Sequence, residues 1–147
     1  MRVFVYFNLH RKCWSIKALE GENKGRVIGH AKGVYLSDVR PKVSEAGRQR
    51  VLREKRKNVH AGLTGNLMCV TDDSNLWRRY PYIGSYHHTL GATRITYNPY
   101  RCGHFTLKND HTTAVKHVGL AILLDRDVHC YQVQTETMTE QQELFAA

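Results

Sequence analysis

The chain repeats itself, and that limits its architecture more than any other feature. Val5-Tyr6-Phe7-Asn8-Leu9-His10-Arg11 is echoed by Ile95-Thr96-Tyr97-Asn98-Pro99-Tyr100-Arg101, and Trp14-Ser15-Ile16-Lys17 by Phe105-Thr106-Leu107-Lys108. Val27-Ile28-Gly29-His30-Ala31 matches Ala114-Val115-Lys116-His117-Val118, with Leu36 and Asp38 following at the same distance as Leu123 and Asp125. A unit of strand, Asn-bearing turn, strand, loop, His-bearing strand and Asp-bearing turn thus occurs twice, which predicts an intramolecular pseudo-dimer.

The segments between turn residues are short and rich in Val, Ile, Tyr and Phe, which is strand composition. Strands are expected over residues 2–7, 13–18, 25–31 and 34–37 in the first copy, and over 93–97, 103–108, 113–124 and 128–133 in the second. The chain of 147 residues suits a single domain with one shared core. Its expected parts are repeat A at 3–39, a basic helix and strand insert at 40–70, a linker at 71–92, repeat B at 93–133 and an acidic tail at 134–147. Ser44 as N-cap, Glu45 in the first turn and basic residues at the end predict a helix over 44–57, with Gly47 as its weak point. Thr137-x-x-Glu140 has the capping-box form, so a C-terminal helix is a candidate. The fold class expected is α+β and β-rich: internally duplicated antiparallel β units with pseudo-twofold symmetry and one short basic helix.

No apolar run approaches the roughly 18 residues of a membrane span, and the first apolar stretch is too short for a signal peptide. A soluble, intracellular protein without a membrane partner is therefore expected. The cysteines, Cys13, Cys69, Cys102 and Cys130, show no CxxC spacing, so reduced thiols are expected. His10, Cys13, Cys102 and His104 follow the two Asn turns, but the spacing is poor for structural zinc, so the expectation is no metal and no cofactor.

Charge is unevenly spread. Residues 1–70 carry 15 Lys and Arg against 5 Asp and Glu, whereas residues 71–147 carry 7 against 8, so the net charge of +9 resides in the first half. It is densest at Arg48, Arg50, Arg53, Lys55, Arg56 and Lys57. Such a field favours phosphate-bearing partners. A second stretch, Trp77, Arg78, Arg79 and Tyr80, continued by Tyr82 and Tyr86, interleaves aromatics with cations in the way that stacks bases and tracks a backbone. The same residues would also serve to cover sheet edges.

Nine histidines are scattered along the chain. His30 and His117 hold equivalent positions in the two copies, and two histidines beside a cation suffice for metal-independent cleavage of RNA. The competing reading is that each holds a partner within its own half. Asn8 and Asn98, each three residues before an arginine, suit base or phosphate recognition, and equally suit the backbone hydrogen bonds of a turn.

Four stretches, Tyr6-Phe7-Asn8-Leu9-His10-Arg11-Lys12-Cys13, Ala46-Gly47-Arg48-Gln49-Arg50-Val51, Arg56-Lys57-Asn58-Val59-His60-Ala61 and Tyr97-Asn98-Pro99-Tyr100, resemble segments of small uncharacterised accessory proteins of tailed bacteriophages. The resemblance implies action in the cytoplasm of a bacterial host cell, in host takeover or anti-defence, and brings no residue roles with it. The expected activity is binding of nucleic acid, RNA ahead of DNA, or of an anionic nucleotide signal. The alternatives are a protein inhibitor of a host defence complex and a metal-independent ribonuclease or phosphodiesterase using His30 and His117; a homodimer is a candidate assembly.

Overall fold

Strict alternation fixes the first strand. In β1 (Arg2–Asn8) Val3 and Val5 are fully buried while Phe4 and Tyr6 stand on the opposite face, as a strand covered on one side requires. The computed structural model describes residues 1–72, 93–124 and 126–137. The expected linker stretch with Trp77, Arg78, Arg79 and Tyr80, and the candidate C-terminal helix, lie outside the described residues.

β2 (Cys13–Ala18) returns antiparallel to β1, and β3 (Val27–Ala31) pairs antiparallel to β2. The chain turns at Lys32 into β4 (Gly33–Val43), which pairs with β5 (Ala61–Thr71) on one side and β8 (Asp110–Leu124) on the other. β5 in turn pairs with β1. In the second half β6 (Thr93–Thr96), β7 (Thr106–Leu107), β8 and β9 (Asp127–Thr137) follow. There β6 pairs with β7 and β9, β7 with β8, and β8 with β9, which closes a ring of four strands. Among the described residues the result is one barrel-like nine-stranded sheet in the order β3-β2-β1-β5-β4-β8-β7-β6-β9.

Of the two buried clusters among the described residues, the larger runs through both halves, the smaller being Tyr35, Ile122, Leu124 and Tyr131. Val3, Val5, Trp14, Ile16, Leu36 and Leu63 from the first half pack in one cluster with Ile95, Phe105, Val118, Leu123 and Cys130 from the second. Arg126 adds a bridge by lying 5.2 Å from the ring centre of Phe7.

Several boundaries differ from the expected ones. β4 does not stop at residue 37 or 39 but runs on to Val43, through Pro41. That proline is tolerated because β8 pairs with β4 only as far as Val39, leaving the far edge of Arg40–Val43 without a ladder to break. β7 is only two residues long, and β9 extends four residues past Val133, so the tail's first residues are strand. The first three strands of each half follow the same antiparallel order. Thereafter the halves differ, since β8 is continuous where β3 and β4 are separated at Lys32, and the β4 to β5 connection carries a helix.

That helix, α1 (Glu45–Glu54), begins as expected, with Ser44 Oγ accepting from Gly47 N at 3.3 Å. It ends earlier, because Lys55 takes a left-handed conformation (φ 55°) and its N–H returns to the Val51 carbonyl. Lys55, Arg56 and Lys57 are therefore not helical. Gly47 is required rather than a weakness: a Cβ there would meet the His60 Cβ at 2.6 Å. The helix thereby lies close against the start of β5, with Val51 buried beneath it.

Candidate nucleic-acid interface

Three adjoining clefts form a groove across the outer face of β1 and around the loop that leads from α1 into β5. Asn58 and Val59 line the larger two, and Val59 and His60 line the third as well. The largest, about 610 Å³, lies between the halves, with Phe7 and Leu9 on one side and Tyr97, Pro99 and Tyr100 on the other. The next, about 560 Å³, is floored by Phe4 and Tyr6 and edged by Lys17 and Lys57. Both exceed the lower bound of small-ligand sites.

The aromatic floor follows from the strand pattern. Phe4 and Tyr6 occupy alternate positions of β1, with ring centres 6.0 Å apart. Phe4 pairs with Lys17 on β2 and Thr64 on β5, so aromatic ring and ammonium share one face. Gly62 lets Phe4 settle over β5, since a Cβ there would lie 2.8 Å or less from two atoms of the ring. Leu9, Val27, Val59 and Tyr100, all exposed large apolar side chains, border the same groove.

Where the halves meet, His60 and Tyr97 fix each other. His60 Nδ1 lies 3.1 Å from the Asn58 carbonyl and must donate to it, so the neutral ring presents Nε2 as an acceptor, and the Tyr97 hydroxyl donates to it at 2.7 Å. Burial pushes the Tyr97 phenol up to about 12, which keeps that donor protonated. The Tyr97 ring also stacks on Phe105 at 5.3 Å.

Of the basic residues expected to meet phosphate, Lys55 and Lys57 line the groove. Arg50, Arg53 and Arg56 are exposed near it without lining it. Arg48 serves another purpose: its Nε donates to the Pro99 carbonyl at 3.0 Å and its guanidinium pairs with Glu45 at 3.0 Å, which pins α1 to the turn of the second half. Phe4, Tyr6, Lys17, Lys42, His60 and Tyr100 are groove residues that the charge pattern did not reveal. The aromatic alternation of β1 was the signal for two of them.

The asparagines are turn residues. Asn8 Oδ1 accepts from the N–H groups of His10 and Arg11 at 3.0 Å each, and Asn98 Oδ1 from Tyr100 N at 3.0 Å. His30 and His117 are not brought together. Each has its own partner, Ser15 Oγ at 2.8 Å for His30 and Asp38 Oδ1 at 2.6 Å for His117. They lie beyond opposite ends of the β4 to β8 ladder, which runs from Gly33 opposite Leu124 to Val39 opposite Val118. Six residues of strand span roughly 20 Å, so acid and base cannot act on one phosphate from these positions. Among the described residues no group of three or more His, Cys, Asp or Glu converges as metal ligands would.

The His117 hydrogen bond, with help from Arg2 and Arg40, holds the Asp38 carboxyl below its usual value of 3.8. A carboxylate depressed in the folded state stabilises it above the unfolded pKa, and the contribution is lost as pH falls through the folded pKa. Asp38→Asn is therefore expected to leave stability near neutrality only slightly changed and to flatten its decline below pH 4, read by acid unfolding followed by circular dichroism. Asn suits the left-handed backbone of Asp38 (φ 50°), so the charge is what the substitution removes.

The molecule is thus a small, β-rich protein with a barrel-like sheet, one helix among the described residues, and an aromatic and basic groove. The chain belongs to the family described as the Mycobacterium phage L5 gene 82 protein, whose family model matches residues 1–131. It is similar to the gene 82 protein of Mycobacterium phage L5, at 41% identity over 115 residues that cover 74% of this chain and 79% of that protein. It is a small bacteriophage protein. No solved structure matches the chain significantly. Among the described residues no helix is long and apolar enough to cross a membrane.

Proposed function

We propose that the protein binds single-stranded nucleic acid, RNA ahead of DNA, along this groove, in the service of host takeover or anti-defence. The observation that carries the reading is the interleaving of Phe4, Tyr6 and Tyr100 with Lys17, Lys42 and Lys57 along one continuous surface. Tyr100 is exposed and Phe4 and Tyr6 are half-buried; rings so placed can stack only bases that are free of a duplex, and each stacked base contributes roughly 1 to 3 kcal/mol. Lysines at the margins then follow the phosphates. Tyr6→Ala combined with Tyr100→Ala is expected to weaken single-stranded RNA about tenfold or more with duplex binding unchanged, measured by fluorescence anisotropy. Equal effects on both forms would overturn the stacking role.

A second reading is capture of an anionic nucleotide, supported by the volume of about 610 Å³ between the halves. A third is inhibition of a host defence protein, supported by the exposed Leu9, Val59 and Tyr100.

We also infer that the two halves are copies. In the ladder between β4 and β8, Tyr35 faces Ile122, and these are the residues immediately before the matched Leu36 and Leu123. A residue opposite its own counterpart in an antiparallel pair is what a pseudo-twofold axis demands. Superposition of β1-β2-β3 on β6-β7-β8 in an experimental structure tests the inference.

A further inference from the structure

A separate cleft of about 300 Å³ lies on the outer side of the second half, and its lining contains cations and hydroxyls but no carboxylate. Thr96 and Thr106 pair in register at its floor. Arg101 reaches it from the turn that Asn98 closes, and Lys108 and His111 from the two sides of the β7 to β8 connection. All three basic residues are exposed, and none has a carboxylate partner within ion-pair distance among the described residues. The acid nearest in sequence, Asp110, accepts from Thr112 N at 3.0 Å and from the hydroxyls of Thr112 and Thr113 at 2.6 Å each, and its charge also acts on the neighbouring His111 without forming an ion pair.

We propose that this cleft is a phosphate-binding site. A phosphate offers several acceptor oxygens in a compact tetrahedron, and here an Arg fork, an ammonium, an imidazole and threonine hydroxyls surround one small space. The inferred repeat offers a parallel in the first half. Asn8 and Lys17, which match Asn98 and Lys108 in the sequence repeat, line the groove's 560 Å³ cleft. Cleft and groove also touch, because Thr96 and Asn98 line both this cleft and the one between the halves. The site goes beyond the stacking groove, and its phosphate can come from the terminus of a nucleotide or from the backbone of a strand lying in the groove.

Inorganic phosphate reads the cleft by itself. Titration followed by NMR is expected to shift the His111 ring and the amides of Arg101 and Lys108, saturating in the millimolar range. Arg101→Gln and Lys108→Gln, each at an exposed position and each checked for retained amide dispersion, are expected to weaken that binding about tenfold or more. Oligoribonucleotides with and without a 5′-phosphate then separate the sources. Preference for the phosphorylated form that is lost in Arg101→Gln supports a terminal phosphate, whereas equal binding of both forms, weakened alike by Arg101→Gln, supports a backbone phosphate. No shift at His111 with millimolar phosphate, or phosphate binding that Arg101→Gln and Lys108→Gln leave unchanged, overturns the proposal. The Tyr6 and Tyr100 variants test the groove without touching this cleft, so the two readings fail separately.

Discussion

Raising salt from about 50 to about 200 mM is expected to weaken binding of single-stranded RNA by about 100-fold, if about five cations meet phosphates along the groove. Lys17, Lys42, Lys55 and Lys57 line it, and exposed Arg56 adjoins Lys55 and Lys57 in the loop after α1. Each contact on a single strand releases condensed counterions and contributes about 0.7 to the logarithmic slope. Lys42→Gln together with Lys57→Gln should lower the slope by about 1.4, the share of two contacts. Arg48→Gln tests a different point. Because its guanidinium is engaged by Glu45 and its Nε by Pro99, its loss should loosen α1 and leave the salt slope unchanged. A wild-type slope near zero, measured by anisotropy across a salt series, would remove nucleic acid as the ligand and favour a compact nucleotide or a protein partner.

How much of this was legible in the sequence depended on distance along the chain. β2 was readable to its ends, and β1 to within one residue, because alternation and turn residues are local signals. The start of α1 was readable from Ser44 and Glu45. Its end was not, since Lys55 adopts the left-handed cap without the glycine or asparagine that usually marks it. The length of β4 was hidden by Pro41, whose tolerance depends on which neighbouring strand stops short.

The groove was hidden for a stronger reason. Phe4, Lys17, Lys42, Val59, Tyr97 and Tyr100 come from five segments that only the folded sheet assembles. Charge density pointed to residues 48–57 and captured Lys55 and Lys57, but density does not distinguish a docked Arg48 from a solvated Arg50. His30 and His117 were matched in the sequence pattern alone. Sequence spacing could not show where they lie in the fold, where Ser15 partners His30 and Asp38 partners His117 beyond opposite ends of the β4 to β8 ladder.

Leu36→Ala is expected to cost about 2 to 5 kcal/mol, a large share of the roughly 5 to 15 kcal/mol that holds a typical domain together. Leu36 is fully buried on β4, paired with Leu67 on β5 and with Ala121 on β8. It belongs to the cluster that holds Val3 and Val5 together with Val118 and Leu123. The cavity cannot collapse easily, because paired strands fix the backbone on both sides, which puts the cost above simple transfer of the lost methyl groups. At about 2 to 4 °C per kcal/mol for a chain of this size, the melting temperature should fall by about 10 °C. The cluster spans both halves, so the loss should be global. Hydrogen exchange at the amides of Val5 in β1 and Val118 in β8 should accelerate together in Leu36→Ala, and urea unfolding should remain one transition. If the second half kept its protection while the first half opened, the two halves would have separate cores, and the groove between them would be a joint between domains instead of a surface of one.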